Sequence, residues 1–462
     1  MVIGGGAGGL VVASVAARLG LAVTLIERGQ ALGGDCLHAG CVPSKALLHA
    51  ARVAWTVRHA RRVGLDAVLA PVDLSGVMNY VQRVVARVQE HDDAQRFRAL
   101  GCEVLLGAPA RFVSPQAVEV DGRRIEARRF VVATGSRPAI PPIPGLDRVS
   151  LLTNENVFEE PRLPARLVVL GGGPVGLELA QAFQRLGTRV TVLEQRARIL
   201  PAQDPVLGAR LRACLEAEGL DIRTSAEVTR VEPAGPGVRL VCRDGTCVEG
   251  DRLLVAAGRR PNVEGLGLDA AGIVFGPEGI ETDRRQRTCR RHIYACGDVC
   301  GPYAFTHAAE HQAGVVLANA VFRLPRRVDY RYLPSVTFTD PELAQVGLTE
   351  AEAGAGAQVI ELDFATLDRA HTDDEACGAL RLVIRRGRVL GAALLAPHAE
   401  ELIHELALGM RKGLRVRDLA EMVHAYPTRS QIHRRAAQAF YAGRLFGPGS
   451  RRWVRALWRL LP

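Results

Sequence analysis

The same glycine pattern occurs at two places in the chain, each time at the start of a segment with the character of strand, turn, helix and strand. The first segment reads VIGGGAGGLVVASVAARLGLAVTLIER, and the second reads LVVLGGGPVGLELAQAFQRLGTRVTVLEQ. An internal repeat of this kind indicates two copies of one folding unit. The chain is therefore predicted to be an α/β protein with two Rossmann-like nucleotide-binding domains. The glycines that fit G-x-G-x-x-G are Gly4, Gly6 and Gly9 in the first segment and Gly171, Gly173 and Gly176 in the second.

Each copy has a carboxylate at the end of its second strand, Glu27 in the first and Glu194 in the second, 23 residues after the first glycine. Glycine lets the backbone approach a pyrophosphate, and the helix N-terminus offers N–H groups to the phosphates. The carboxylate can accept hydrogen bonds from ribose hydroxyls, so two copies predict two dinucleotides. Glu194 favours NADH, because a carboxylate repels the 2′-phosphate of NADPH. Arg196 and Arg198 lie nearby and keep NADPH open as the alternative.

Length and composition exclude several other classes of protein. The chain has 462 residues, 48% hydrophobic and 23% charged, which predicts a folded protein of about three domains. No apolar run approaches the roughly 18 residues of a membrane span. The net charge of +10 comes from scattered arginines without interleaved stacking aromatics, so no nucleic-acid partner is expected. The ten cysteines are dispersed and no signal peptide is recognised, which predicts the reducing cytoplasm.

Two of the cysteines, Cys36 and Cys41, lie five positions apart in GGDCLHAGCVPSK. Zinc would need four ligands, and no second C-x-x-C or H-x-x-x-H lies close by. Pro43 suits the first turn of a helix, which places Cys41 near its N-terminus, where the dipole lowers the pKa of a thiol below about 8.5. Gly40 gives the loop freedom to close a disulfide. The pattern favours a redox pair, and two inert packing thiols are the alternative.

In its two glycine motifs and its cysteine segment, the chain resembles the FAD-dependent pyridine nucleotide–disulfide oxidoreductases, the family of lipoamide dehydrogenase, glutathione reductase and mercuric reductase. The resemblance covers the chain to about residue 443. GGDCLHAGCVPSK is similar to the redox-disulfide motif of that family. The other segments that carry the resemblance are ATGSRP (133–138), AAGRRPN (256–262), IYACGDV (293–299), THAAEHQAG (306–314) and PSVTFTDPELAQVGLTEAEA (334–353).

The resemblance implies a relay in which electrons pass from nicotinamide through FAD to the Cys36–Cys41 disulfide. It implies that Cys41 lies against the flavin and that Cys36 is the outward thiol. Lys45 would approach the flavin and form a buried pair with Glu178, for which a surface ion pair is the alternative. No resident metal is expected. Together with the glycine motifs, the resemblance predicts cofactor-binding positions at Gly4, Gly6, Gly9, Glu27, Gly34, Lys45, Thr134, Gly135, Gly171, Gly173, Gly176, Glu194, Gly258, Asp298, His307 and Ala308.

The same resemblance divides the chain into domains and implies an isologous homodimer. The predicted boundaries are 1–147 for the FAD domain, 148–268 for the NAD(P) domain, 269–331 for a return segment of the FAD domain, 332–443 for an α+β dimerisation domain and 444–462 for a basic amphipathic tail.

The acceptor end departs from the pattern of the disulfide-reducing members in VHAYPTRSQI (423–432). Those members carry a His immediately before Pro-Thr and a Glu five residues later; here the positions hold Tyr426 and Gln431. His424 lies two residues too early to take the same place. Tyrosine, with a pKa of about 10, is a poor base at neutral pH, so exchange with disulfide substrates is expected to be slow.

Tyr426 resembles the mercuric reductase branch, although the sequence shows no cysteine pair in its last residues and we expect no N-terminal metal-carrier domain. We therefore expect a mercuric-reductase-like oxidoreductase whose acceptor is a soft metal ion, a quinone or a small oxidant. A lipoamide-dehydrogenase-like disulfide reductase is the first alternative. A flavin redox sensor or membrane-docked electron donor is an alternative of a different class.

The last residues, RRWVRALWRLLP, form an amphipathic pattern without acids. As a helix they would place Trp453, Leu457 and Leu460 on one face and arginines on the other. Such a helix resembles an interfacial anchor to anionic lipid at the inner face of the membrane. The simpler interpretation is a tail that packs on its own dimer or frays.

Overall fold

The computed structural model describes residues 1–460, apart from the side chain of Arg444. Residues 461 and 462, which end the predicted tail, lie outside the described residues. The chain forms two compact units. The first contains residues 1–195 and 226–328, and the second contains residues 196–225 and 329–460.

The α-helices are distributed over the whole length of the described chain. They are α1 (Ala7–Arg18), α2 (Gly34–His38), α3 (Cys41–Arg58), α4 (Leu74–Gln89), α5 (Ala94–Ala99), α6 (Pro174–Leu186), α7 (Pro205–Ala217), α8 (Thr306–Ala320), α9 (Glu350–Ala353), α10 (Asp368–Thr372), α11 (Ala399–Arg411), α12 (Val416–Glu421), α13 (Gln431–Leu445) and α14 (Pro448–Leu460).

The strands are mostly short, and many have only two to five residues. They are β1 (Val2–Ile3), β2 (Val23–Glu27), β3 (Cys102–Leu106), β4 (Arg111–Ser114), β5 (Ala117–Val120), β6 (Arg123–Glu126), β7 (Phe130–Val132), β8 (Ser136–Pro138), β9 (Leu151–Leu152), β10 (Arg166–Leu170), β11 (Arg189–Leu193), β12 (Asp221–Arg223), β13 (Val228–Ala234), β14 (Gly237–Cys242), β15 (Cys247–Gly250), β16 (Arg252–Val255), β17 (Arg259–Pro261), β18 (Phe275–Gly276), β19 (Gly279–Ile280), β20 (Ile293–Ala295), β21 (Ser335–Thr337), β22 (Glu342–Gly347), β23 (Gln358–Asp363), β24 (Ala379–Arg385) and β25 (Arg388–Ala396).

The first repeat builds a five-stranded parallel sheet with the order β20-β7-β1-β2-β3. The two successive residues of β1 enter different core clusters. Val2 packs with α1 and α8, whereas Ile3 packs with the layer on the opposite face of the sheet. A parallel sheet buried on both faces needs a continuous apolar run in each strand, and FVV in β7 supplies one. The predicted strand, turn, helix and strand are confirmed in β1, α1 and β2.

The second repeat builds a second parallel arrangement, in which β11, β10, β16 and β9 are neighbours in that order. Strand β10 precedes the glycine turn and α6, and β11 follows them, as β1, α1 and β2 do in the first repeat. The α/β fold class with two Rossmann-like sheets is thereby confirmed.

Smaller antiparallel elements complete the first unit. In the sequence, residues 238–258 alternate and turn as a hairpin does, and strands β14 and β15 within this stretch pair antiparallel. Strands β8 and β17 lie in ATGSRP (133–138) and AAGRRPN (256–262) and pair antiparallel. The family resemblance implies that these two segments are the junction strands between the domains. The domain boundaries given above stay predictions.

The second unit contains an antiparallel sheet with the order β21-β22-β25-β24-β23. Its apolar face is covered by α11 and α13, which contribute Ile403 and Ile432 to one buried cluster. This is the α+β arrangement that the sequence predicts for the dimerisation domain.

Helix α14 ends the described chain as a helix with exposed apolar side chains. Trp453, Val454, Trp458 and Leu460 are exposed, and Leu457 is half-buried. Among the helices of residues 1–460, none combines the length and the apolar character needed to cross a bilayer.

Candidate active site

The first glycine turn has no space for side chains at two of its three positions. Gly4 has φ +107°, and a Cβ there would lie 2.3 Å from the Ala133 carbonyl oxygen. A Cβ on Gly9 would lie 1.9 Å from the Gly4 carbonyl oxygen, so α1 packs directly on the turn. A Cβ on Gly6 would meet only Gly34 Cα, at 3.7 Å. The space above Gly6 is therefore open to a ligand, as the second glycine of the motif requires.

The second glycine turn repeats this geometry. Gly171 has φ +118° and its Cβ would lie 2.4 Å from the Ala256 carbonyl oxygen, while a Cβ on Gly176 would lie 2.1 Å from the Gly171 oxygen. A Cβ on Gly173 would have no atom within 4 Å. The two turns thus share the same two packed glycines and the same open one.

The two carboxylates also occupy equivalent positions, and each braces its own turn. Glu27 accepts hydrogen bonds from the Gly5 N–H at 2.7 Å and from the Gly29 N–H at 2.8 Å. Glu194 is buried and accepts from the Gly172 N–H at 2.8 Å. A carboxylate has capacity for further hydrogen bonds, so this bracing is compatible with binding a ribose hydroxyl.

The helices that follow the turns have N-termini suited to phosphate. No side chain caps α1 or α6, and neither first turn contains an acid. The unsatisfied N–H groups and the helix dipole favour an anion there. The open glycine positions, the carboxylates and these helix ends together fit a dinucleotide at each turn.

The cysteine segment packs on the first of these turns by backbone contact. The Gly33 N–H donates to the Gly5 carbonyl at 2.8 Å. Gly34 has φ +63°, and a Cβ there would lie 2.7 Å from Gly6 Cα. Cys36 lies on α2, and Cys41 is the first residue of α3, after Gly40. The predicted helix start at the cysteine pair is confirmed.

The two thiols differ in acidity because they share one hydrogen bond. Donation from the Cys36 thiol lowers the pKa of Cys41 to about 6, helped by a contact with Thr306 Oγ1 at 3.3 Å and by the charge of Lys45; burial opposes the shift. The same hydrogen bond and burial raise the pKa of Cys36. At neutral pH the reduced pair therefore holds one thiolate, on Cys41, and one proton, on Cys36.

Exposure of the two thiols differs from what the resemblance implies. Cys41 is exposed in the protein chain and Cys36 is half-buried, whereas Cys36 was expected to be the outward thiol. A flavin placed against Cys41, as in the family, would cover the more exposed sulfur and leave Cys36 as the accessible one. The expected order of the two thiols stays a prediction for the FAD-bound enzyme.

Lys45 and Glu178 form an ion pair, with 2.8 Å between Nζ and Oε2. The carboxylate is buried, with 7% of the side chain exposed, while the lysine side chain is 35% exposed. The pair is therefore partly open on the lysine side rather than fully buried. Lys45 lies one turn after Cys41 on α3, which accounts for its effect on the thiolate.

A polar network that the sequence did not predict extends from the cysteine segment to Asp298. Arg259 pairs with Asp35 at 3.0 Å, and its Nε donates to Ser136 Oγ at 2.7 Å. Ser136 donates to Asp298 at 2.6 Å. Burial raises the pKa of Asp298, with the Ser136 hydrogen bond and the Arg259 charge opposing. A half-buried carboxyl group held in this way is suited to bind a polyol hydroxyl, the role that the resemblance implies.

The remaining predicted cofactor positions lie at the junction strands and at the start of α8. The Thr134 hydroxyl donates to the Asn262 carbonyl at 2.8 Å, and the Gly135 carbonyl accepts from the Asn262 N–H at 2.9 Å. The Gly258 carbonyl accepts from the Ala139 N–H at 2.9 Å. His307 and Ala308 are in the first turn of α8, which no side chain caps; Ala308 is buried. These contacts fix the backbone of the junctions.

Tyr426 is in the second unit and is 69% exposed. Its hydroxyl donates to Asp368 Oδ2 at 3.0 Å, and this hydrogen bond raises the pKa of Tyr426. Gln431 begins α13, and its Oε1 accepts from the Thr428 N–H at 3.5 Å. Asp368 gave no signal in the sequence, because it lies 58 residues away.

A second group of side chains in this unit, Glu405, His424 and His433, also has no sequence motif that would predict it. The Glu405 carboxylate lies 2.9 Å from His433 Nδ1 and 3.3 Å from His424 Nε2. The atoms of these three residues that could ligate a metal all lie within 4.8 Å of one another. Both histidines are nearly enclosed. His424 is thus committed to Glu405, which agrees with not placing it in the role of Tyr426.

Comparisons with known proteins match the chain over nearly its whole length. The model of the pyridine nucleotide-disulphide oxidoreductase family matches residues 1–313, and that of the dimerisation domain of this family matches residues 333–437. A mercuric reductase of Streptomyces lividans is 36% identical over 95% of each chain. A dihydrolipoyl dehydrogenase of Thermus scotoductus is 38% identical over 96% of this chain and 97% of its own. The solved structure of the HOCl-induced flavoprotein disulfide reductase RclA from Escherichia coli is similar, with a TM-score of 0.86 and 28% identity over 95% of this chain and 98% of that chain.

The chain belongs to the pyridine nucleotide-disulphide oxidoreductase family, whose members bind FAD and use NAD(P). It is an FAD-dependent pyridine nucleotide-disulfide oxidoreductase.

The two open glycines supply a matched pair of tests. Gly6→Ala and Gly173→Ala both add a methyl group where the protein leaves space, so both variants should fold with nearly unchanged melting temperatures. Gly6→Ala should weaken FAD retention about tenfold or more, because the methyl group crowds a phosphate. Gly173→Ala should keep its FAD and raise KM for the nicotinamide nucleotide. Bound flavin per chain and steady-state kinetics measure the two effects. Equal FAD loss in both variants would contradict the assignment of the two turns.

The acidity of Cys41 is testable in the reduced enzyme. The thiolate should form as pH rises through about 6 and be lost below that value. The ultraviolet thiolate absorbance of the wild type, minus that of Cys36→Ser/Cys41→Ser, reports the pair, and its transition at the lower pH belongs to Cys41 because the pKa of Cys36 is raised. Lys45→Met should move the midpoint to higher pH, because it removes a stabilising positive charge. A wild-type midpoint near the ordinary value of about 8.5 would refute the hydrogen-bond arrangement of the pair.

Proposed function

We propose that this flavoprotein passes electrons from a nicotinamide nucleotide through the Cys36–Cys41 pair to an acceptor that is not a disulfide, namely a soft metal ion, a quinone or a small oxidant. The observation that carries the proposal is the hydroxyl of Tyr426, which stands where disulfide-reducing members have a histidine and donates to Asp368.

The chain's own residues prepare the thiol pair for this reaction. FAD, when bound, supplies two-electron transfer between the nicotinamide and the two cysteines. Cys36 holds the proton and Cys41 carries the negative charge, with Lys45 stabilising the thiolate. Glu178 holds the ammonium group of Lys45 in place. A soft metal ion needs two sulfur ligands rather than a proton, so a dithiol of this kind can bind it without a further base.

A disulfide substrate makes a different demand on the site. Its leaving thiol must be protonated and the outer thiol deprotonated, which requires a base with a pKa near the working pH. Tyr426 has a raised pKa and a hydroxyl proton engaged by Asp368, so it lacks that property. Gln431 is neutral and cannot serve as the carboxylate that orients a base.

The named relatives support both the proposal and its main alternative. Mercuric reductases are named for the reduction of mercuric ion, and one solved structure of RclA is described as a Cu(II) complex. Dihydrolipoyl dehydrogenases are similar at comparable identity, so a lipoamide-directed reductase is the alternative. A flavin redox sensor that turns over little would differ from both in showing low activity with every acceptor.

NADH is the proposed electron donor, with NADPH as the alternative. Glu194 lies immediately after β11 and its carboxylate is buried at the second glycine turn. A fixed negative charge at this place attracts a ribose 2′-hydroxyl and repels a 2′-phosphate.

The dimerisation domain supports a homodimer. In the proposed assembly, Tyr426 of the partner subunit faces Cys36, so each acceptor site needs both chains. The thiols of the site would be maintained in the cytoplasm, where such groups stay reduced.

Helix α14 favours contact with an anionic membrane surface. From residue 422 to the end, the sequence contains no Asp or Glu. The apolar residues Trp453 and Leu460 lie on one side of the helix, and Arg452, Arg455 and Arg459 lie on the other. Exposed tryptophan together with arginine is the composition of helices that lie in the bilayer interface. A tail that packs on its own dimer or frays is the simpler alternative.

Restoring the family pair tests the role of Tyr426. Tyr426→His with Gln431→Glu supplies a base and its orienting carboxylate, which typically contribute ~10²–10⁴-fold to a proton transfer. Lipoamide or glutathione disulfide turnover should therefore rise about tenfold or more. Mercuric-ion or quinone reduction should stay level or fall. Steady-state kinetics with one acceptor of each kind measure this.

Tyr426→Phe is the matched control for that experiment, since it removes only the hydroxyl and should give no gain with disulfides. Rapid disulfide reduction by the wild type would overturn the role given to Tyr426. So would a double variant that keeps its flavin but gains nothing.

The tail prediction is tested by flotation with liposomes. The intact holoenzyme should float with phosphatidylglycerol vesicles and much less with phosphatidylcholine vesicles, and salt should weaken the binding. A variant truncated after residue 447 should stay in solution with both. Equal behaviour of the intact and truncated proteins would leave the packed tail as the explanation.

A further inference from the structure

A second pair of thiols lies in the second unit, away from the sequence motif that holds Cys36 and Cys41. Cys214 is on α7, and Cys377 is in the segment that leads into β24. Their Sγ atoms are 2.8 Å apart, although 163 residues separate them in the chain. A bond between them would have a length of about 2.05 Å, so closing the gap takes less than about 1 Å of movement.

The two thiols are chemically unequal. Donation from Cys214 lowers the pKa of Cys377 to about 7, and the charge of Arg210 contributes, while burial and Asp340 oppose. The hydrogen bond, burial and the nearby charges of Glu218 and Asp340 raise the pKa of Cys214. At neutral pH, a large share of the molecules therefore holds a nucleophilic thiolate next to a protonated thiol.

The guanidinium of Arg210 is fixed by its own partners. It lies on α7, one turn before Cys214, and forms ion pairs with Glu361 and Asp363 of β23. Its charge is thus held close to Cys377 by side chains of the sheet rather than by the thiols themselves.

The residue that carries the more acidic sulfur is the more exposed of the two. Cys377 is exposed and Cys214 is half-buried. A small oxidant can therefore attack the sulfur of Cys377, and the thiol of Cys214, which would resolve the product, is in contact with that sulfur. A reactive cysteine with a resolving thiol beside it is the arrangement that gives a reversible disulfide instead of over-oxidation.

We propose that Cys214 and Cys377 form a second redox couple, which closes to a disulfide on reaction with a peroxide and opens again on reduction by a dithiol. The inference does not depend on which acceptor the enzyme reduces.

The proposed step balances as follows for hydrogen peroxide. The Cys377 thiolate attacks one peroxide oxygen, an S–O bond forms, the O–O bond breaks, and the leaving hydroxide takes a proton from solvent. The Cys214 sulfur then attacks the Cys377 sulfur, the S–S bond forms, the S–O bond breaks, and the hydroxyl group leaves as water with the Cys214 proton. Two thiols are oxidised and one peroxide is reduced to two waters.

The disulfide would tie α7 to the segment before β24 within the second unit. Because it closes a long loop, it would restrict the unfolded chain and raise the resistance of this unit to unfolding. Peroxide exposure would thereby change the stability of this unit.

Peptide mapping of the full-length holoenzyme tests the proposal. The protein is treated with a small excess of hydrogen peroxide, blocked with N-ethylmaleimide and digested with trypsin. Cleavage after arginine releases Cys214 in peptide 213–223 and Cys377 in peptide 370–381. We expect these two peptides to be recovered linked, and to be released by dithiothreitol. The rate should rise as pH passes through about 7.

The exposed Cys247, in peptide 244–252, is the internal control for general thiol oxidation. Its oxidation should be at least about tenfold slower than formation of the Cys214–Cys377 link, because it lacks a thiol partner. Cys214→Ser should stop the reaction at a Cys377 sulfenic acid that dimedone traps. Unlinked peptides, or oxidation of Cys247 at the same rate, would overturn the proposal even if the variant fails to fold, since both are measured in the wild type.

Discussion

Backbone-to-backbone packing between Gly33–Gly34 and Gly5–Gly6 is the contact on which the site depends. The Gly33 N–H donates to the Gly5 carbonyl, and a Cβ on Gly34 would collide with Gly6 Cα. A side chain on Gly34 would therefore separate the cysteine segment from the first nucleotide turn. Because no side chain is present, α1 and α2 begin next to each other, and a dinucleotide at the first glycine turn would lie close to the cysteine segment.

Around that contact, electrostatics make the two active-site thiols different from each other. Cys41 receives a hydrogen bond from Cys36, a contact from Thr306 and the charge of Lys45, all of which stabilise its thiolate. Cys36 keeps the proton. Tyr426 stands where disulfide-reducing members have a histidine base, and its hydroxyl donates to Asp368 Oδ2. Its pKa is raised, so it does not match the acidity that a base at neutral pH needs. We therefore propose that the thiol pair delivers electrons at an acceptor site that does not serve proton transfer.

The parts that the sequence predicted are those with local spacing. The two glycine turns, the helix start at Cys41 and the β14–β15 hairpin follow from residues within a few positions of each other, and the structure has all three. The pair of Lys45 with Glu178 is separated by 133 residues and came only through the family resemblance. Partners without a motif could not be found this way. Asp368 beside Tyr426, Arg259 beside Asp35, and Cys377 beside Cys214 are brought together only by tertiary packing, which leaves no periodic trace in the sequence.

The central claim is that the dithiol delivers electrons to an acceptor other than a disulfide. The most direct measurement is anaerobic oxidation of NADH and NADPH with mercuric ion, a soluble quinone, lipoamide and glutathione disulfide as separate acceptors. The wild type is compared with a Cys36→Ser/Cys41→Ser variant that retains FAD. The account predicts a kcat/KM for mercuric ion or the quinone at least about tenfold above that for either disulfide, with metal-ion reduction lost in the variant. Lipoamide as the best acceptor, or metal-ion reduction that persists without the two cysteines, would contradict it.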